Sequence, residues 1–111
     1  MTMLIEVREY VDATGRNAFA RWFARVDATA AARIKRAITW MAAGNLANVR
    51  PVGGGVSECR IDYGPGYRIY FGKDGDALII LLAGGTKRGQ QRDIETAKAL
   101  WQEYRQRKRR R

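Results

Sequence analysis

The segment that most restricts this chain is residues 77–83, Ala-Leu-Ile-Ile-Leu-Leu-Ala, seven consecutive apolar side chains. Successive side chains of an extended strand point to opposite faces, so such a run needs apolar cover on both sides and reads as a central strand. It is far too short to cross a bilayer as a helix. Two segments of period two precede it, residues 56–62 (Val-Ser-Glu-Cys-Arg-Ile-Asp) and 67–72 (Tyr-Arg-Ile-Tyr-Phe-Gly). Tyr63-Gly64-Pro65-Gly66 follows the first and Asp74-Gly75 the second; both are turn sequences, so the three strands form an antiparallel meander.

Upstream the period is helical. Residues 3–10 alternate well enough for a first strand, and Asp12-Ala13-Thr14-Gly15 is a turn whose side chains offer capping oxygens. A helix is expected from there to about Val26, with Ala18, Phe19, Trp22, Phe23 and Val26 on one face. A second, capped by Asp27 or Thr29, runs to about Ala43 on a stripe of Ile34, Ala37, Ile38 and Met41, and Gly44-Asn45 stops it. Residues 45–55, with Pro51 and Gly53-Gly54-Gly55, read as a connecting loop, and the glycines lack the Walker spacing of a phosphate loop. Gly84-Gly85 is expected to end the central strand. A last helix follows from about Gln90 to Arg107, with Ile94, Ala97, Trp101 and Tyr104 on its apolar face. The expected fold is α+β in the order β-α-α-β-β-β-α, a mostly antiparallel four-stranded sheet packed against an N-terminal helical hairpin and a C-terminal helix. One domain covers residues 1–104, and residues 105–111 form a basic C-terminal tail.

Charge and the missing residue types narrow the chemistry. The 111 residues hold 21 Lys and Arg against 11 Asp and Glu, a formal charge of +10 that points to polyanionic partners. Six of the seven tail residues are Lys or Arg, so more than half of the surplus sits where it attracts any polyanion and selects none. With no histidine, imidazole acid–base catalysis and Ser-His triads are excluded, as are most zinc and haem sites. No metal or other cofactor is expected. The single cysteine, Cys59, rules out intrachain disulfides and CxxC chemistry. Glu6, Arg8 and Glu9 interrupt the short apolar start, so a secretory leader is not expected, and a cytoplasmic protein without membrane association is.

Strand parity turns the outline into a candidate site. Cys59 and Ile61 share one face of their strand, so Glu58, Arg60 and Asp62 share the other; Tyr67, Ile69 and Phe71 oppose Arg68 and Tyr70 in the next. With the apolar set beneath the helices, Glu58, Arg60, Arg68 and Tyr70 emerge together, and Lys87 and Arg88 follow at the end of the central strand. Two guanidiniums beside one carboxylate exceed what ion pairing needs and suit a phosphate oxygen, while Tyr67 or Tyr70 offers a ring for an unstacked base. The plainer alternative is a solvated face of cross-strand ion pairs. Trp22, Trp40 and Trp101 read as core anchors, Asp74 and Asp76 as hairpin residues, and Cys59 as a small core residue.

Glu58-Cys59-Arg60, Gly64-Pro65-Gly66-Tyr67-Arg68-Ile69-Tyr70-Phe71 and Leu81-Leu82-Ala83-Gly84-Gly85 with Lys87, Gln90, Asp93, Ile94 and Ala97 resemble the RelE/ParE toxin superfamily. The likeness is nearest to its HigB-like, phage-type addiction-module killer proteins. The element order agrees along the whole chain, and the specific motifs lie between Val56 and Ala97. The resemblance implies a RelE-like fold and the toxin of a type II toxin–antitoxin module. Many relatives are ribosome-dependent, metal-independent mRNA endoribonucleases that inhibit translation, whereas the ParE group poisons DNA gyrase. A non-enzymatic gyrase inhibitor and a basic nucleic-acid-binding module are therefore the alternatives. Histidines that some HigB relatives use are absent here, so the catalytic roles fall to Glu58, Arg60, Arg68 and Lys87, with Tyr67, Tyr70, Arg88 and Gln90 binding substrate. Gly53-Gly54-Gly55 stands where a Gly-acidic-Gly is expected. The implied partners are the ribosome and mRNA and a cognate antitoxin, a small helix-turn-helix protein, with operator DNA bound only through the antitoxin complex.

Overall fold

Ile79 and Leu81 lie on one face of the central strand and Ile80 and Leu82 on the other, all four buried, and this two-sided burial organises the fold. The computed structural model describes residues 4–110; Met3, at the start of the first expected strand, and Arg111, at the end of the expected tail, lie outside them. The elements are β1 (Glu6–Glu9), α1 (Ala18–Phe23), α2 (Ala28–Ala42), β2 (Val49–Gly53), β3 (Val56–Ile61), β4 (Tyr67–Lys73), β5 (Leu78–Thr86), a 3-10 turn (Lys87–Gly89) and α3 (Gln90–Arg109). The chain is α+β, with a five-stranded mixed sheet in the order β1-β5-β4-β3-β2. β2 to β5 are antiparallel neighbours, and β1 pairs with β5 in parallel, Val7 opposite Ile79.

The fifth strand corrects the expected four. β2 falls inside the segment read as a connecting loop and pairs with β3 as an edge strand, Arg50 opposite Glu58 and Pro51 opposite Ser57. A proline is tolerated there because an edge strand leaves alternate N–H groups unpaired. The second correction concerns layers. α1 and α2 cover one face, where Phe19, Ile34 and Met41 pack on Cys59, Ile61, Tyr67, Ile69 and Phe71. α3 covers the other, where Ile94, Ala97 and Trp101 pack on Val56, Tyr70, Ile80 and Leu82. A central strand apolar on both faces demands this second cover. The face expected to emerge charged is therefore largely roofed by α3.

Local chemistry sets the helix ends. The Asn17 side chain accepts from the Ala20 N–H at 2.9 Å to cap α1, and Asp27 accepts from Ala30 at 2.8 Å to cap α2. α1 ends at Phe23 rather than Val26, its last turn tightened by Arg25 N–H to Trp22 C=O. Asp12 serves the preceding turn instead, accepting from Thr14 and Arg16. Gly84 and Gly85 do not end β5, which continues to Thr86. They are needed for close approach: a Cβ on Gly84 would lie 2.1 Å from the Trp22 ring, and one on Gly85 would lie 2.0 Å from the Asp93 carboxylate. Trp22 and Trp101 pack into the two cores as expected, whereas Trp40 is 48% exposed. Arg36 lies over the Trp40 ring.

The expected tail is not a separate segment. α3 runs through it to Arg109; Lys108 donates to Asp74, and Arg107 donates to the Tyr10 hydroxyl and the Val11 carbonyl. No helix among the described residues is long and apolar enough to cross a membrane.

Candidate functional site

Two rungs of the sheet carry the polar cluster. In one, Arg50, Glu58, Tyr70 and Ala83 stand side by side from β2 to β5; in the next, Arg60 pairs with Arg68 and Arg68 with Gly85. Because the rungs are two residues apart, their side chains project to the same face. Glu58 has no exposed surface, yet both oxygens are engaged. Oε1 accepts from Arg50 Nε at 3.0 Å and Oε2 from Gln90 Nε2 at 2.8 Å, while Arg68 Nε stands 3.5 Å from Oε2. Arg68 is 6% exposed and spends another donor, Nη1, on the Gly66 carbonyl at 2.8 Å. Burying a carboxylate is costly unless it is paired and hydrogen-bonded, and here the cost is met by two guanidiniums and an amide. The cluster fastens β2, β3 and β4 to the first residue of α3.

The sequence-predicted residues divide three ways. Glu58, Arg68 and Gln90 come together, with Tyr70 beside them. Arg60 and Lys87 border this group on the surface: Arg60 through its rung with Arg68, and Lys87 through its N–H to the Gly66 carbonyl at 2.9 Å. Arg88 is also exposed but turns into a separate groove between α1 and the start of α3. Both tyrosines are corrected as base-stacking residues. Tyr67 lies on the α1–α2 face, its ring against Trp22 and Tyr63, because it alternates with Arg68. Tyr70 is fully buried beneath α3. Burial, and then the charge of Glu58, push its phenol above the ordinary value, so it stays a neutral hydroxyl. Glu58 is likewise corrected as a proton acceptor for substrate, since no part of it reaches the surface.

Arg50 escaped the sequence reading although it holds Glu58 directly. Its signal was the Val-Arg-Pro-Val alternation at residues 49–52, masked by Pro51 and the glycines after it. Arg50 is 57% exposed, so it spans the distance from the buried carboxylate to solvent. Arg50 and Arg60, with Asn48 and Asp62, line a surface hollow of about 320 Å3. Cys59 is buried on the opposite face, and desolvation raises its thiol to about 11, consistent with a packing role. Among the described residues, no three His, Cys, Asp or Glu side chains group so as to hold a metal ion. Chemically, the arrangement exposes Arg50, braced by the sealed carboxylate, and Arg60 and Lys87 beside the cluster, where an anion can reach them.

A protein of Haemophilus influenzae, carrying only the name "uncharacterized protein", is 40% identical to the chain over 86 residues, which make up 77% of this chain and 87% of the relative. No family profile and no solved structure matches the chain.

Proposed function

The chain belongs to the same family as that Haemophilus influenzae protein, and from the braced arginines at the sheet edge we propose that it is the toxin of a type II toxin–antitoxin module, an endoribonuclease that cuts ribosome-bound mRNA without a metal. The proposal includes a RelE-like arrangement of the fold, a cytoplasmic location and an antitoxin that covers the basic edge. Its chief support is that Glu58, sealed from solvent, holds Arg50 and stands against Arg68, while Arg60 and Lys87 remain open beside them. Ion pairing alone needs no such excess of cations, and a phosphodiester does.

In the reaction the 2′-oxygen attacks the adjacent phosphorus as the P–O5′ bond breaks, giving a 2′,3′-cyclic phosphate and a 5′-hydroxyl. The 2′-hydroxyl proton passes to solvent, and the departing O5′ takes a proton from solvent. Arg60 and Lys87 touch the phosphate and stabilise the charge that builds on its non-bridging oxygens; Arg50 extends this field. Glu58 is a positioning residue, acting through Arg50, Arg68 and Gln90. Glu58 is sealed and cannot act as a base on substrate, and acceleration rests on charge stabilisation and on the ribosome holding the RNA in line for attack.

Brief induction in cells followed by 5′-end mapping of mRNA tests this. Wild-type protein should arrest growth and generate new 5′-hydroxyl ends on translated messages. Arg60→Ala and Lys87→Ala should each lower cleavage about 100-fold or more, with unchanged melting. Growth arrest with DNA damage and intact mRNA would move the chain to the gyrase-inhibitor reading. Neither arrest nor cleavage would leave a basic binding module.

A further inference from the structure

A concavity wider than the hollow beside the Glu58 cluster lies elsewhere on the surface. It is a groove of about 810 Å3 between α1 and the beginning of α3, floored by the glycines of β5. Arg21 and Arg25 stand on its α1 side and Arg88 and Arg92 on its α3 side, all four exposed. Several other arginines are used: Arg50, Arg68 and Arg107 hold carboxylates, and Arg33 lies over the Tyr63 ring. Among the described residues, no side chain of the four groove arginines donates a hydrogen bond or reaches a carboxylate oxygen within ion-pair distance. Four uncommitted guanidiniums facing one another across a concavity repel, and the fold tolerates them without a protein counter-charge for each.

The floor adds two features. On the α1 face the Trp22 ring lies against Gly84, and on the opposite, α3 face the Asp93 carboxyl lies against Gly85; burial raises Asp93 above its ordinary value even though Arg92 is near. A carboxylate in the floor offers an acceptor that a nucleobase amine can use, whereas an acidic peptide brings chiefly further carboxylates. Guanidiniums spaced along a groove, with an aromatic ring at one wall and a polar acceptor at the other, are elements of single-strand nucleic-acid recognition. Arg88 faces this groove while Gln90, two residues on, faces Glu58. The 3-10 turn is therefore the ridge between the two regions.

We propose that this groove binds single-stranded RNA, with Arg21, Arg25, Arg88 and Arg92 on successive phosphates and Asp93 receiving a base amine, and that the strand crosses the 3-10 turn to present its next phosphate to Arg60 and Lys87. The crossing rests on the nuclease reading; the groove itself does not.

The full chain is titrated with a fluorescent 2′-O-methyl oligoadenylate, which lacks the attacking hydroxyl, and anisotropy is read across a salt series. Arg21→Ala/Arg25→Ala/Arg92→Ala should bind about tenfold or more weakly, and its slope of log K against log salt should fall by about 2, near 0.7 for each phosphate left unneutralised. Each single substitution should remove about a third of that slope change, a readout that survives if the triple variant folds poorly. Arg33→Ala/Arg36→Ala, whose guanidiniums lie outside the groove, should bind like wild type. Unchanged affinity and slope in the single and triple variants overturn the proposal. So does a titration in which poly-glutamate, and not the RNA, loses affinity on the same substitutions, since the groove would then belong to an acidic protein partner. If induction of the wild type leaves mRNA uncut while the groove variants lose RNA, the groove stands and the nuclease reading falls. If Arg60→Ala abolishes cleavage while they bind like wild type, only the groove proposal falls.

Discussion

The two ends of α3 are fastened by the same kind of contact in opposite surroundings. At the N-terminal end, Gln90 donates to Glu58, which is sealed among Arg50, Arg68 and Tyr70. At the C-terminal end, the Tyr104 hydroxyl and Lys108 donate to Asp74 on the β4–β5 hairpin, at the surface. In water the ion pair is worth little, because solvent offers both partners nearly equivalent contacts. Under cover the same charges are held firmly, since removal of either partner strands the other. The buried end fixes the geometry of nearby cations, and the exposed end fastens a helix.

The comparison can be broken from its strong side first. Glu58→Ala leaves Arg68 buried beside no carboxylate and should cost about 3–5 kcal/mol, read as a lowered urea midpoint. A loss under about 1 kcal/mol would mean that Arg68 finds water and the cluster does not hold the sheet to α3. Asp74→Asn, at the exposed end, should cost about 0.2–1 kcal/mol in the same assay. An effect as large as that at Glu58 would erase the distinction between the two ends.

Acid gives the smallest and most specific test. Hydrogen bonds from Lys108, then Tyr104, lower the folded-state pKa of Asp74 below its ordinary 3.8. A carboxyl so depressed stabilises the fold fully above its unfolded pKa and loses that contribution as pH falls through the folded value. Wild type should therefore lose stability more steeply than Asp74→Asn below about pH 4, measured by urea unfolding at constant ionic strength. Asp12 is lowered by Thr14 and Arg16 and acts in the same direction in both proteins. Asp93, raised by burial, acts in the opposite direction, its ionisation destabilising the fold as pH rises through its folded value. Parallel acid curves would remove Asp74 from the account.

Legibility followed periodicity. The period of two placed Glu58, Arg60 and Arg68 on one face, and alternation put Cys59 and Ile61 on the other, because side-chain direction in a strand is a local property. The same alternation already set Tyr67 apart from Arg68, and the structure separates them by the thickness of the sheet. β2 was obscured because Pro51 and three glycines are loop chemistry almost everywhere except at a sheet edge and its turn. The groove arginines were illegible for a different reason. Arg21 and Arg25 meet Arg88 and Arg92 only after α1 packs on the far end of β5, a tertiary placement with no local period. The burial of Glu58 was hidden for the same reason, since it depends on which face α3 covers.

Tyr10 donates to Glu103 and accepts from Arg107, bonds between residues more than 90 positions apart that tie the segment after β1 to the C-terminal half of α3. Such a closure cannot form during synthesis until α3 has emerged. Everything through β5 can assemble earlier, but the roof over Glu58 and the latch on Tyr10 arrive last, with α3. Folding is thereby ordered in time: the arginine-bearing edge acquires its braced form only once α3 is made, so a product cut short before α3 carries the cations without the geometry.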